Sequence, residues 1–309
     1  MITVQNLKKS YGPIKAVDDI SFEVQKGEIL GFLGPNGAGK TTTMKILTCF
    51  IGATEGSASI AGFDVEKDAL EVRKRVGYLP ENAPLYSDMD VTSFLRFIAE
   101  IRGINGSRFS SRFEEVVSVC GLKNVLRRPI SQLSKGYRQR TGLAQAIFHN
   151  PDVLIMDEPT SGLDPNQIIE IRELIKHLGK EKTVVLSTHI LPEVEATCTR
   201  AIIINEGKIV VQGTLAEISS HAHEVVVAVV RAERAAAEAK LRRVSGVSEV
   251  ACRGSADGLV TFEITPEKGM KINEEIFQAV AASGWTLSQL RTEGASLEDV
   301  FTKLTRSAQ

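Results

Sequence analysis

Residues 34–41 read Gly-Pro-Asn-Gly-Ala-Gly-Lys-Thr, the spacing G-x-x-x-x-G-K-S/T of a phosphate-binding loop. Glycine lets the backbone turn its N–H groups inward around an anion. The helix that such a loop opens adds partial positive charge at its N-terminus. Gly34, Asn36, Gly37, Ala38, Gly39, Lys40, Thr41 and Thr42 are therefore the expected contacts of a nucleoside triphosphate. Lys40 would reach the β- and γ-phosphates, and the Thr41 hydroxyl would sit on a magnesium ion.

A second cluster lies downstream, where Val153-Leu154-Ile155-Met156 leads into Asp157-Glu158. Asp157 is the expected magnesium ligand, directly or through water, and Glu158 the group that orients or deprotonates an attacking water. Taken alone, an Asp-Glu pair as readily starts a solvated loop; behind a complete phosphate loop the catalytic reading is favoured.

These groups need elements to hold them. Ile29–Leu33, Val153–Met156 and Thr183–Leu186 are short apolar runs, which predicts buried strands of a parallel α/β sheet opening towards the ligand at their C-terminal ends. Asp164-Pro165-Asn166-Gln167 reads as a helix start, with Ile171, Leu174, Ile175 and Leu178 on one face. Phe94, Leu95, Phe97, Ile98 and Ile101 form another helical stripe, whereas Asn82 to Asp90 has no period and leaves Leu85, Tyr86 and Met89 as expected surface residues.

Between the two chemical clusters stands Leu133-Ser134-Lys135-Gly136-Tyr137-Arg138-Gln139-Arg140, which resembles the L-S-G-G-Q signature of ABC ATPases. The rest of that family's set follows in order. Tyr11 resembles the aromatic residue that stacks on adenine, Ser161-Gly162-Leu163-Asp164 the D-loop, and Ser187-Thr188-His189 the switch histidine. The resemblance spans about residues 1–215. It implies a P-loop ABC ATPase core with a helical subdomain inserted at about 82–130, binding ATP and magnesium. It places Tyr11 at the adenine, Val17 among the other ATP contacts, and Ser134 and Gly136 at the γ-phosphate of a second copy paired head to tail. His189 becomes a neutral donor to the γ-phosphate and joins Lys40 and Glu158 in catalysis. A Tyr-Gly pair is otherwise a common turn, and Ser134 an ordinary helix cap.

Two departures stand out. Tyr78-Leu79-Pro80-Glu81 carries glutamate where most members have a glutamine facing the metal, so Glu81 is a candidate magnesium ligand. Lys135 and Tyr137 alter the signature itself. Both features are similar to bacterial exporter ATPases, including gliding-motility-associated subunits. The implied function is the ATP-hydrolysing motor of an exporter, on the cytoplasmic face of the inner membrane, coupled to a separate integral membrane subunit. A soluble ABC ATPase of repair or translation and a nucleotide-sensing adaptor are the competing readings. The absence of a long heptad insertion, the single cassette and measurable ATPase activity are what separate them from the first.

Composition agrees with two domains: 309 residues, 43% hydrophobic, and a net charge of −1 that gives no electrostatic reason to expect nucleic acid. Four cysteines lack C-x-x-C spacing, and no apolar run is long enough to span a membrane. The chain opens directly on strand-like Met1–Val4 with no expected leader. A boundary near residues 214–221 separates the ATPase domain, 1–215, from an accessory domain, 222–309. The latter reads β-α-β-β-α-β and predicts a small α+β ferredoxin-like fold, closed by a helix at Ser296–Phe301. His149, His177, His221 and His223 read as surface or packing residues.

Overall fold

The computed structural model describes residues 1–220, 225–267, 270–293 and 301, and the chain divides into two units, Met1–Thr214 and Leu215–Gln309. The first unit begins β1 (Ile2–Tyr11), β2 (Ile14–Val24), β3 (Ile29–Leu33), α1 (Lys40–Leu47), β4 (Glu55–Ile60), β5 (Phe63–Asp64), α2 (Ala69–Arg75) and β6 (Val76–Leu79). Helices α3 (Val91–Ile101), α4 (Gly106–Val119) and α5 (Lys135–Ile147) follow. The unit closes with β7 (Val153–Asp157), α6 (Pro165–Gly179), β8 (Thr183–Thr188), α7 (Leu191–Thr197), β9 (Arg200–Asn205) and β10 (Lys208–Thr214).

Six strands form the central sheet in the order β10-β9-β3-β8-β7-β6, parallel except for the β9–β10 hairpin at one edge. The all-apolar runs of β3 and β7 are fully buried, as parallel strands covered on both faces must be. Register matters more than composition here. Leu33 lies opposite Thr188, and Asp157 opposite Ser187. The C-terminal ends of β3, β7 and β8 therefore stand side by side, and the segments carrying Lys40, Glu158 and His189 leave from one edge.

A second, antiparallel sheet, β2-β1-β4-β5, packs its apolar face on this one through Val4, Ile20 and Phe22 against Phe32, Met44 and Ile202. In α3, Asp90 caps the first turn by accepting from the Ser93 N–H at 3.0 Å, and Phe94, Leu95 and Ala99 are fully buried. Ile101, expected on the same stripe, is 64% exposed because the helix ends there and the chain turns away at Gly103. Tyr86 is exposed as expected but not free: its ring stands edge-on to Phe97 at 5.4 Å. His149 is a packing residue. Its Nε2 lies 3.1 Å from the Val76 carbonyl, and burial, aided by Arg102, pushes its pKa down to about 4, so the ring is neutral.

The second unit comprises α8 (Leu215–Ser220), β11 (Val225–Arg231), α9 (Arg234–Leu241), β12 (Val247–Ala256), β13 (Leu259–Pro266), α10 (Asn273–Ala282) and β14 (Thr286–Glu293). Its sheet, β12-β13-β11-β14, is antiparallel at every pairing, the split β-α-β topology of a ferredoxin-like fold. Val226, Ala228, Val230, Phe262 and Ile264 face Ala237, Leu241, Ile276 and Val280 of the two helices. Helix α9 starts at Arg234 because Glu233 caps it, accepting from the Ala235 and Ala236 N–H groups. His221, His223 and, apart from Phe301, the expected closing helix lie outside the described residues.

Candidate functional site

The phosphate loop is wound around its own lysine. Gly39 caps α1 with φ 104°, and a Cβ there would lie 2.3 Å from the Ala16 carbonyl oxygen, so no other residue fits. Helix α1 then starts at Lys40 with no acidic side chain in its first turn, leaving the positive end of its dipole uncompensated. Lys40 is 5% exposed, and its Nζ donates to the carbonyls of Gly34 at 2.7 Å and Pro35 at 3.2 Å.

The same ammonium stands 3.4 Å from Glu158 Oε1. On the other side, His189 Nδ1 donates to Glu158 Oε2 at 2.9 Å. Glu158 has φ +50°, the left-handed region that a non-glycine residue enters only at a cost. What holds it there is Ser187: the Glu158 N–H donates to both its carbonyl and its hydroxyl oxygen, each at 3.1 Å. The Ser187 hydroxyl in turn donates to Asp157 Oδ1. One serine thus fixes both acids. Glu158 Oε1 is buried, with the Lys40 ammonium as its neighbour and no hydrogen bond to it among the described residues.

Asn36, Gly37, Gly39, Lys40, Thr41, Thr42, Glu81, Glu158 and His189 all line one cleft of about 270 Å³. Ser161, the first residue of the expected D-loop, lines it too, as does Ala16, which had no expected role. Gly34 and Ala38 belong to the wall of the loop, and Asp157 is buried at the end of β7. Val17 needs correction: it is fully buried in the core between the sheets, on the inward face of β2, and offers no side-chain surface to a base. Tyr11 is exposed and does not line this cleft, with the Lys9 ammonium 5.5 Å from its ring centre.

Ser134 and Gly136 are not on this cleft. Ser134 caps α5, accepting from the Tyr137 N–H at 3.3 Å, and Gly136 is buried where a Cβ would strike the Gln167 amide at 2.7 Å. Lys135 is exposed, and its Nζ lies only 2.1 Å from where a Cβ on Gly162 would be, so the ammonium rests on that loop.

Comparison with known proteins places this geometry. The ABC transporter family model matches residues 17–161. Over 304 residues, 98% of this chain and 99% of the other, the sequence is 32% identical to the ABC transporter ATP-binding protein YxlF of Bacillus subtilis. It is 39% identical over 211 residues, 68% of each chain, to the bacitracin transport ATP-binding protein BcrA of Bacillus licheniformis. A dimeric ATP-binding cassette solved in a post-hydrolysis state with ADP and Pi matches with a TM-score of 0.64 and 26% identity, covering 70% of this chain and 99% of that one.

Proposed function

This chain belongs to the ABC transporter family of ATP-binding subunits, and we therefore propose that it is the ATP-hydrolysing motor of an exporter whose pore is a separate integral membrane subunit. The convergence of Lys40, Glu81, Glu158 and His189 on one cleft carries the reading. Among the described residues no helix is long and apolar enough to cross a membrane. The resemblance to a bacitracin transport protein supports a role in transport, and attachment to a membrane subunit would hold the chain on the cytoplasmic face of the inner membrane. The segment from Asn82 to Asp90, where Tyr86 is exposed, is the expected meeting point with that subunit. The unit from Leu215 onward supports or regulates the dimer.

Hydrolysis is phosphoryl transfer to water, driven by positioning and charge. The loop N–H groups and Lys40 hold the β- and γ-phosphates. Glu158 takes a proton from the attacking water, and His189, donating through Nδ1, fixes the carboxylate's direction. The oxygen donors of Thr41, Asp157 and Glu81 are of the hard type that magnesium takes. No three His, Cys, Asp or Glu residues cluster as a metal site among the described residues. Bound there, magnesium neutralises charge on the phosphates.

Ser134 and Gly136 lie off the cleft and serve the γ-phosphate of a partner copy. Mixing Lys40→Ala with Ser134→Arg chains tests this. Each variant alone spoils both sites of a dimer, whereas a mixed dimer carries one intact site and regains part of the wild-type turnover. A mixture as inactive as its components removes the head-to-tail pair.

Glu81 adds a negative charge to the cleft, offset by magnesium. Glu81→Gln is expected to bind metal-free ATP more tightly than the wild type, with a shallower dependence of affinity on magnesium. Titrations of both proteins with and without the metal decide it, and equal dependence leaves Glu81 no role there.

A further inference from the structure

Glu193 is a buried carboxylate that the reaction as described does not use. It is 3% exposed, in the first turn of α7. Both its oxygens are taken by hydroxyl groups: Thr160 Oγ1 donates to Oε1, and Thr188 Oγ1 donates to Oε2 at 2.7 Å. Thr160 stands two residues beyond Glu158, and Thr188 directly precedes His189. The Thr188 hydroxyl also accepts from the Ile190 N–H at 3.1 Å, so His189 is held between two residues locked to each other. Taking a carboxylate out of water is expensive. Charge-assisted hydrogen bonds and the N-terminal end of the helix offset that, and both depend on the charge. A neutral side chain of the same size would pack equally well without joining the two segments so strongly.

We propose that Glu193 is a positioning residue for ATP hydrolysis, a clamp that sets Glu158 and His189 in register by tying the segment after β7 to the segment after β8. Ser187 joins the two strand ends at their base, and Glu193 joins the loops beyond it. With both ties in place the 2.9 Å contact between His189 and Glu158 is over-determined. Loosening the outer tie lets the base drift from the attacking water, and misplacement of about 1 Å is worth up to roughly 100-fold in rate. The inference rests on Glu158 being the base.

The test uses the full chain and reads kcat, ATP affinity and melting temperature together. Glu193→Gln keeps shape but replaces one acceptor by a donor that faces a hydroxyl. It is expected to lower kcat roughly 10- to 100-fold, with ATP affinity within about twofold of wild type. Thr160→Val and Thr188→Val should lose a similar share, and each should add little in the Glu193→Gln background, because all three break one network. Thr160→Ser, which keeps the hydroxyl, should retain turnover. Unchanged kcat in Glu193→Gln, or kcat and affinity falling in parallel, overturns the clamp, as does a full additive loss in the double variants. Normal turnover in Glu158→Gln strikes at the base assignment instead, so the two failures are distinguishable.

Discussion

Glu158→Gln should bind ATP as well as the wild type, turn over roughly 100- to 10,000-fold more slowly and accumulate as an ATP-bound dimer. The amide keeps the shape of the side chain and can still accept from His189 Nδ1, so the loops around it need not move. What disappears is the carboxylate charge that accepts the water's proton. Removing a negative charge from a cleft that receives phosphates cannot weaken binding electrostatically, which separates this variant from one that merely unfolds the site. Turnover by phosphate release and size-exclusion chromatography with ATP measure the two halves of the expectation. Near-normal turnover excludes Glu158 as the base.

Lys40→Ala should act on the other half, affinity. It deletes the cation at the head of α1 and with it about 1.5–3 kcal/mol of charge-assisted contact, a loss of roughly 10- to 100-fold in ATP binding. There is a second consequence inside the protein. Lys40 stands 3.4 Å from Glu158, so its removal leaves that buried carboxylate with His189 alone, and the Gly34 and Pro35 carbonyls lose a donor. The variant is therefore expected to melt lower as well. Calorimetry at a temperature well below melting isolates the binding term, and an unchanged affinity would refute the assignment of residues 34–41 as the phosphate loop.

The phosphate loop was legible because everything it needs is local: a strand, a glycine turn and a helix start within about fifteen consecutive residues. The Asp157-Glu158 pair was legible for the same reason, sitting at the end of an uninterrupted apolar run. Asp164 at the head of α6 behaves as its spacing to Gln167 predicts, with 3.0 Å from its Oδ1 to the Gln167 N–H. The sheet order is another matter. No local pattern says that β3 lies between β8 and β9 or that β7 lies beside β8, and it is the β7–β8 pairing that brings His189 to Glu158. Glu193 escaped because one of its partners is 33 residues away, across two elements. Its only signal was an acid at a helix start four residues past His189. Val17 was named by resemblance alone; its side chain shares the inward face of Ile20, Phe22 and Val24, because the bulge at Asp18 and Asp19, the latter at φ +62°, shifts the alternation of β2. In the second unit, Asp257-Gly258, with both residues at positive φ, marks a two-residue hairpin that sharpens the β12–β13 pairing beyond what composition offered.

The left-handed backbone at Glu158 makes position 158 a place where two kinds of fitness diverge. For a residue with a Cβ, that conformation costs about 1 kcal/mol or more, and glycine or asparagine would relieve it. In a library of variants ranked by thermal stability, this position would be rewarded for giving up its carboxylate; ranked by ATP turnover, the same library would keep glutamate and accept the lower melting point. Any effort to harden this protein by stability selection alone would therefore converge on a well-folded chain that grips ATP and does no work.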